Sequence, residues 1–284
     1  MDLVLGPVPR SFTRSRLLAA QPRLLGLPYD ASSSFLKGAA EAPALIRAAI
    51  YSAHWNSWTE QFVDLAATDG LSDGGDLALT PDAMARGKIE AGIEALIAED
   101  WRPIALGGDH SVTYPVVRAM SRAHTPLTVL HIDAHPDLYD VFEGDRFSHA
   151  CPFARIMEEG LARRLVQVGI RTMNGPQRSQ ADRFRVEVID MEDWVAGIRP
   201  EVSGAVYLSV DLDGLDPAFA PGVSHREPGG LSTREVLALV QSIRGRLVGA
   251  DVVEYNPRQD LGGVTAIVAA KIVKEIAGHM LALG

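Results

Sequence analysis

Hydrophobic positions along the chain show two different spacings, and together these spacings predict an α/β fold. Short runs of consecutive Val, Ile and Leu are typical of strands buried on both faces of a parallel sheet. The predicted strands are Arg23–Tyr29, Gln61–Ala66, Pro103–Leu106, Leu127–Ile132, Leu165–Ile170, Val186–Ile189, Ala205–Val210 and Leu247–Val253.

Longer stretches with apolar residues at helical spacing lie between these runs. In one of them, Ile89, Ile93 and Leu96 follow a proline in the first turn. The predicted helices are Ala42–Ala53, Pro81–Glu99, Tyr114–His124, Ala150–Ala162, Thr233–Arg246 and Val264–Leu283. Because strands and helices alternate without a repeat or a linker, we expect a single domain over residues 1–284, with an open parallel sheet covered by helices on both faces.

Composition narrows the class of protein. The 284 residues include 27 Lys+Arg and 36 Asp+Glu, which gives a net charge of −9, and 47% are hydrophobic. This excludes an intrinsically disordered chain, argues against a nucleic-acid partner and favours a cationic ligand or a metal ion. The single cysteine, Cys151, excludes an intrachain disulfide. Met1–Arg16 lacks the apolar run of a secretory signal, and Gly263–Gly284 is too polar to span a bilayer. We therefore expect a cytoplasmic protein without a membrane partner.

Acidic residues and histidines follow four of the predicted strands. The four segments are Gly107–Ser111, Asp133–Asp137, Asp211–Pro217 and Glu254–Pro257. Since ligands bind beyond the carboxyl ends of the strands in such sheets, these segments mark the candidate site. Asp133, His135 and Asp137 are spaced at i, i+2 and i+4, so an extended backbone would point all three side chains the same way. Asp211 and Asp213 have the same spacing.

This spacing indicates a metal site. Four aspartates at a half-buried strand edge repel one another and lose hydration unless a cation neutralises them, and two divalent cations would balance them. With His110 and His135 the ligand set is oxygen and nitrogen without thiolate, which suits Mn²⁺ better than a structural zinc. Two cations that share a carboxylate lie ~3.5–4 Å apart and can convert a shared water into hydroxide, as in a hydrolase. The alternative is that these acids are turn caps and solvated loop residues, and their clustering after separate strands favours the metal site.

These motifs resemble those of a known family. Gly107-Gly-Asp-His-Ser111, Asp133-Ala-His-Pro-Asp137 and Ser209–Gly222 resemble the three signature segments of the ureohydrolases, which comprise arginase, agmatinase, guanidino-acid hydrolases and formimidoylglutamase. The resemblance extends from Gly26 to Pro257. It implies a three-layer α/β/α domain with a parallel eight-stranded sheet, two Mn²⁺ ions per subunit and a homo-trimer or homo-hexamer. Nickel, cobalt and zinc remain alternatives to manganese.

The resemblance also implies roles for individual residues. One manganese ion would be held by His110, Asp133, Asp137 and Asp211, and the other by His135, Asp133, Asp211 and Asp213. Asp137 would orient the attacking hydroxide. The carboxylate of Glu254 would accept hydrogen bonds from the planar N–H groups of the substrate guanidinium. His149 would deliver a proton to the departing amine. The products would be urea and an amine.

The substrate is less well defined by the sequence. The loop Leu138–Phe147 carries Asp140, Glu143 and Asp145 against Arg146, which favours agmatine, a ligand with a second positive charge. Arg146, Arg155 or Arg226 would instead receive the carboxylate of a guanidino acid or of formimidoylglutamate, and arginase activity is a further alternative. Cys151 is interpreted as an inert buried thiol, and His225 and Arg226 depart from the family pattern.

Two rival interpretations of the whole chain are a mononuclear zinc amidohydrolase and a catalytically silent metal-binding regulatory subunit. His110 and Asp213 argue against the first, because they complete a second metal site. The complete set of motif residues gives the second no support.

Overall fold

The computed structural model describes residues 21–53, 55–67 and 70–282. The segment Met1–Arg16, which was expected to lack a secretory signal, and the predicted helix end at Leu283 lie outside these residues. Within the described ranges, no helix has both the length and the apolar character needed to cross a membrane.

Eight parallel strands form one sheet in the order β2-β1-β3-β8-β7-β4-β5-β6. The strands are β1 Gln21–Gly26, β2 Ser72–Asp76, β3 Trp101–Leu106, β4 Leu127–Ile132, β5 Arg164–Ile170, β6 Glu187–Asp190, β7 Ala205–Asp211 and β8 Arg246–Val253. The central strand β4 is buried along its whole length, and its Leu130 lies between Val166 of β5 and Leu208 of β7. Burial on both faces explains why the inner strands are apolar at consecutive positions.

Helices cover both faces of the sheet. They are α1 Ala42–Ile50, α2 Met84–Ala98, α3 Thr113–Ala123, α4 Pro152–Glu158, α5 Gly175–Phe184, α6 Met191–Val195, α7 Thr233–Ser242 and α8 Val264–Ala282. Buried residues of α1, α7 and α8 pack into one hydrophobic core, and those of α2, α3 and α4 pack into a second core across the sheet. The predicted three-layer α/β/α architecture with an eight-stranded parallel sheet is therefore confirmed.

One predicted strand is wrong. Residues Gln61–Ala66 form a turn in which Phe62 has φ +60° and an 85% exposed side chain. The eighth strand is instead β2, which pairs with β1 at the sheet edge. An edge strand has only one hydrogen-bonded neighbour and can be polar, so the sequence Ser-Asp-Gly-Gly-Asp gives no apolar signal. Arg47 of α1 holds it through Asp73, at 2.9 Å, and Asp76.

Helix boundaries also differ from the prediction. Helices α5 and α6 were not predicted, because their few buried side chains leave no clear apolar period. Their starts do carry signals: the side chain of Asn174 accepts a hydrogen bond from the backbone N–H of Gln177, as an N-cap does. Helix α4 is shorter than the predicted Ala150–Ala162, and α7 ends at Ser242 because Arg246 begins β8.

Candidate metal centre and active site

The four segments that were expected to carry the chemistry lie side by side, because β3, β8, β7 and β4 are neighbours in the sheet. Two backbone hydrogen bonds hold the segment after β3 between its neighbours: Asp109 N donates to Tyr29 O, after β1, and Glu254 N, after β8, donates to Gly108 O, each at 2.9 Å. A Cβ on Gly108 would lie 1.7 Å from Tyr29 O. Glycine is therefore required at this position by the close approach of two chain segments.

A first cluster surrounds His110, which begins a short 3-10 helix at His110–Val112. Its Nδ1 lies 3.2 Å from Asp133 Oδ2, 3.0 Å from Asp137 Oδ2 and 3.1 Å from Asp211 Oδ2. All four residues are buried. Three carboxylate oxygens thus converge on one ring nitrogen.

The other ring nitrogen of His110 fixes the tautomer. Nε2 lies 3.0 Å from Ser209 Oγ, and the Ser209 hydroxyl donates to Asp251 Oδ1 at 2.6 Å. Since this hydroxyl proton is already used, Ser209 Oγ accepts a hydrogen bond from His110 Nε2–H. In the neutral ring, Nδ1 therefore presents a lone pair to the three carboxylates. Burial lowers the pKa of His110, but the three carboxylates outweigh burial and raise it well above its usual value, so without a metal ion Nδ1 also holds a proton. A nitrogen that faces anionic oxygens at such distances needs a proton or a metal ion between them, and a metal ion would take the Nδ1 lone pair and the three carboxylate oxygens as ligands.

A second cluster surrounds His135. Its Nδ1 lies 3.1 Å from Asp213 Oδ2 and 3.4 Å from Asp133 Oδ1. Asp133 thus turns one carboxylate oxygen to each cluster. Asp213 lies in the short 3-10 helix Leu212–Gly214, and its backbone N–H donates to Asp211 Oδ1 at 2.7 Å.

The aspartates converge, but not through the extended backbone that the spacing predicted. The chain leaves the sheet after Ile132, and Asp137 has a left-handed φ of +49°. Asp211 ends β7 and caps the 3-10 helix that carries Asp213. Turns rather than a continuing strand bring these side chains together.

The electrostatics of the two clusters favour a divalent cation. Burial raises the pKa of the Asp211 carboxyl well above its usual range, and the charges of Asp213 and Asp133 raise it further. Burial, opposed by His135 and reinforced by Asp133, raises the pKa of Asp213 to about 7. Among the described residues, no Lys or Arg forms an ion pair with these carboxylates; Arg171 donates to the backbone carbonyl of Asp213, at 2.7 Å. Oxygen and imidazole ligands without thiolate fit such an ion, so the residues present match the expected metal.

His149 and Glu254 lie next to the first cluster. Glu254 Oε1 accepts a hydrogen bond from His110 N at 2.8 Å and lies 3.1 Å from His149 Nδ1. Burial lowers the pKa of His149, but the hydrogen bond and charge of Glu254 outweigh burial and raise it to about 9. Glu254 has a left-handed φ of +61°, an unfavourable conformation that is more common at functional sites.

A cavity of about 170 Å³ opens above these residues. It is lined by Asp137, Asp211, Asp213, His135, His149 and Glu254 together with Ser34, Tyr139, Phe142, Ala150, Thr172, Gln177 and His225. Phe35, His135 and His149 all make ring contacts with His225, whose ring stacks on His149 with centroids 5.3 Å apart. In the sequence, His225 is visible as a departure from the family pattern, whereas no motif points to Ser34 or Tyr139.

The charged residues that were expected to select the substrate do not line this cavity. The Arg146 and Arg155 guanidinium groups pair with Asp140 and Glu158, and Arg226 donates to the backbone oxygens of Pro221 and Gln259. The expected carboxylate-binding role of these arginines therefore has no support in the geometry. The charge of the loop acids is likewise not an argument for agmatine.

Two residues near the site are explained by their contacts. Burial is the main cause that raises the pKa of the Cys151 thiol, to about 12, which disfavours the reactive thiolate, and its Sγ lies 3.6 Å from Asp145 O. His131 Nε2 lies 2.7 Å from Asp133 Oδ2, and its Nδ1 lies 3.0 Å from Gln167 Nε2. An amide nitrogen only donates, so Nδ1 accepts and Nε2–H donates to Asp133.

The fold and these clusters define an α/β protein with a candidate binuclear metal centre, and comparison with known proteins identifies its family. The Arginase family model matches residues 20–278. Arginase 1, mitochondrial, of Arabidopsis thaliana is 48% identical over 92% of this chain and 81% of its own length. The solved arginase of Medicago truncatula has a TM-score of 0.88 at 44% identity and covers 92% of this chain and 88% of its own. Agmatinase, mitochondrial, of Gallus gallus is 34% identical over 89% of this chain and 78% of its own length.

The chain belongs to the arginase family. The resemblance to the ureohydrolases is confirmed, and with it the general class of activity, hydrolysis of a guanidino substrate. The expected cytoplasmic location is wrong on this comparison, because relatives that match most of the chain are named for the mitochondrion, or for chloroplast and mitochondrion.

Proposed function

We propose that this protein is an arginase, which hydrolyses L-arginine to urea and ornithine. The observation that carries the reaction class is the pair of ligand clusters that share Asp133 beside the buried carboxylate of Glu254. The choice of L-arginine is supported by the 48% identity to a relative named arginase, against 34% for a relative named agmatinase.

The distances around His110 support His110, Asp133, Asp137 and Asp211, which would hold one Mn²⁺ ion. Those around His135 support His135, Asp133 and Asp213, which would hold the other. The family resemblance adds Asp211 to this second set. When bound, the two ions supply Lewis acidity, which brings the pKa of water at the site close to neutrality.

The side chains of this site have separate tasks in the proposed reaction. Glu254 binds the substrate guanidinium: Oε1 is occupied by His110 N and faces His149, whereas Oε2 has no hydrogen-bond partner within the described chain and is free to accept from a substrate N–H. Asp137 accepts a hydrogen bond from the attacking oxygen and orients it. His149 holds a proton on its imidazole near neutral pH, because its pKa is raised to about 9, and gives it to the departing amine.

Agmatine is the second candidate substrate. The cavity lining contains four carboxylates but, among the described residues, no Lys or Arg. A substrate that lacks a carboxylate group needs no such cation. Neutral donors such as Gln177 and Tyr139 would have to receive the carboxylate of L-arginine.

The proposal also includes an oligomer, a homo-trimer or homo-hexamer. Leu261, Val264 and Ile267, around the start of α8, are 73%, 44% and 60% exposed, and such apolar side chains close together are typical of contact surfaces. Sedimentation equilibrium measures the number of subunits, and a monomer would contradict this part of the proposal.

A urea-release screen tests the reaction. The protein is loaded separately with Mn²⁺, Ni²⁺, Co²⁺ or Zn²⁺ and assayed with L-arginine, agmatine, guanidinobutyrate, guanidinopropionate and, by formamide or ammonia release, formimidoylglutamate. We expect the highest kcat/KM with Mn²⁺ and L-arginine. A preference for agmatine would select the second candidate, and metal-loaded protein without any turnover would identify a silent subunit.

A further inference from the structure

The loop at residues 30–38 is held close to the candidate active site by hydrogen bonds at both ends and in its middle. Asp30 Oδ2 accepts from Gly38 N at 2.7 Å, and Ser32 N donates to Asp109 Oδ2 at 2.9 Å. Leu36 O accepts from the Ser224 hydroxyl at 2.7 Å. These contacts fix the position of the exposed residues between them, Ser34 among them.

This loop contacts His149 twice. The backbone N–H of His149 donates to Ser32 O at 3.2 Å, and the Ser34 hydroxyl lies 2.8 Å from His149 Nε2. The ring of His149 is additionally stacked on His225. Backbone and ring of His149 are therefore both positioned by residues outside its own segment.

The hydrogen bonds of the ring define its proton positions. A carboxylate only accepts, so His149 Nδ1–H donates to Glu254 Oε1. In the neutral ring, Nε2 then accepts from the Ser34 hydroxyl. In the protonated ring, Nε2–H donates to Ser34 Oγ, so the same contact serves both states of the ring.

The contact also joins a buried group to solvent. His149 is 8% exposed, whereas Ser34 is an exposed residue. Among the described residues, Ser34 is the hydrogen-bond partner of His149 Nε2 and also reaches the surface. A proton that enters or leaves through Nε2 thus has a path along one hydroxyl group.

We propose that Ser34 is a positioning residue that orients His149 and returns its proton from solvent during turnover. This rests on the proposed function. When the protonated ring gives its Nε2 proton to the departing amine, the Nε2–H bond breaks and an N–H bond forms on the amine. A solvent proton then adds to Ser34 Oγ while the hydroxyl proton of Ser34 moves to Nε2, which restores the protonated ring. Only O–H and N–H bonds form and break, and Ser34 ends unchanged.

The first test compares Ser34→Ala with Ser33→Ala in the manganese-loaded protein. Ser33 is the matched control, because its hydroxyl contacts Asp109 at 3.4 Å and not His149. We expect Ser34→Ala to lower kcat about tenfold, less than the effect of a general acid itself, with KM and manganese content unchanged within about twofold. Ser34→Thr, which keeps the hydroxyl, should restore most of kcat, and Ser33→Ala should match the wild type.

Several outcomes would overturn the proposal. They are an unchanged kcat in Ser34→Ala, an equal loss in Ser33→Ala, a change in KM alone, or no rescue by Ser34→Thr. Thermal unfolding of the same variants shows whether any loss of kcat comes from a loss of folding, which we do not expect for an exposed side chain.

A second readout needs no turnover. Diethyl pyrocarbonate acylates exposed imidazole nitrogens, and peptide mass spectrometry follows the rate at His149, with His149→Asn as the blank. Loss of the Ser34 hydroxyl should accelerate this acylation several-fold, and loss of the Ser33 hydroxyl should not. Equal acylation rates in the Ser34 and Ser33 variants would contradict the Ser34–His149 contact. If the wild type releases no urea, the proposed function is wrong, and so is the role of Ser34 in proton return. The acylation rates still show in that case whether Ser34 contacts His149.

Discussion

Two clusters of charged residues in this protein differ in whether Lys or Arg side chains pair with their acids. In the metal-centre cluster, the four aspartates around His110 and His135 have no Lys or Arg ion pair within the described chain. In a second group, the Glu60 cluster, Glu60 pairs with Arg234 at 2.6 Å and with Lys271 at 3.2 Å, and Glu275 pairs with Lys271 at 2.5 Å. Two acids there meet two cations.

The difference separates a structural cluster from a candidate functional one. The Glu60 cluster ties the loop before β2 to α7 and α8 with charges that the chain itself supplies. The metal-centre cluster is more deeply buried, and its four aspartates face two histidines but no Lys or Arg of the described chain, so cations from outside the chain would offset the remaining negative charge. The balance of charge, rather than the number of acids, thus indicates where this protein binds a cation.

The largest expected effect follows from removing a shared aspartate. Asp211→Ala should lose manganese and lower kcat/KM for L-arginine by at least about 10³-fold, since the ions contribute several kcal/mol to such a reaction. Inductively coupled plasma mass spectrometry and urea release measure the two quantities. A variant with two ions per chain and full turnover would remove Asp211 from the proposed ligands.

A smaller loss of kcat is expected from a substitution of His149. Its side chain contacts Ser34 and Glu254 and forms no hydrogen bond to a proposed metal ligand. His149→Asn should retain manganese and lower kcat about 10²-fold to 10³-fold, in the range of a lost general acid. The same two measurements separate this result from that of Asp211→Ala. Loss of metal in His149→Asn would show that the variant disturbs the site as a whole.

The stability of the metal-free protein compares the two clusters directly. After chelation, Asp211→Asn should raise the free energy of unfolding by about 1–3 kcal/mol, because it removes a buried carboxylate that its neighbours disfavour. Glu275→Gln should lower the free energy of unfolding by about 1–3 kcal/mol, because it weakens charged hydrogen bonds to Lys271 and Glu60 N. Urea denaturation measures both, and changes of the same sign would contradict the comparison.

The smallest effect concerns acid pH. The hydrogen bond to Arg234 is the largest cause that lowers the pKa of Glu60 from 4.5 to about 2. The folded pKa lies below the unfolded value, so the stabilisation by Glu60 is present above pH 4.5 and is lost as the pH falls through about 2. Glu60→Gln should cost about 0.5–1 kcal/mol at pH 7, the range of a partly exposed ion pair, and progressively less below pH 4.5.

Chemical denaturation of the metal-free protein across this pH range checks the Glu60 prediction. Glu201→Gln is the control, because the Glu201 side chain forms no ion pair within the described chain. A constant difference between Glu60→Gln and the wild type at all pH values would contradict the assigned pKa.

The sequence predicted the inner part of the fold and the membership of the metal-centre cluster. Strands such as Leu127–Ile132 are buried on both faces, so their apolar runs are continuous, and the segments that follow them must meet at one sheet edge. This placed Asp133 and Asp211 close together without knowledge of any distance. The polar edge strand Ser72–Asp76 could not be found in this way, because its stability comes from backbone pairing with β1 and from Arg47.

The cavity residues that are not proposed metal ligands were harder to predict than the ligands themselves. Ser34 and His225 come from loops that approach His149 only in the folded chain, at 2.8 Å and with ring centroids 5.3 Å apart. Ser34 does lie in the loop after the predicted strand Arg23–Tyr29, but that loop carries no histidine and only Asp30 as an acid, so it was not recognised as part of the site. The net charge of the loop after Asp137 carries no information on the substrate, because Arg155 and Asp140 pair with each other at 2.7 Å.

The sheet order has a consequence for synthesis on the ribosome. Strand β8 is translated after the other seven described strands and lies between β3 and β7. Each of these two strands therefore lacks a neighbour until residue 253 has left the exit tunnel. A nascent chain that ends earlier exposes unpaired strand edges in the middle of its sheet, where aggregation begins most readily. It also lacks Glu254. Chaperone binding should therefore persist until β8 has emerged and paired with both neighbours.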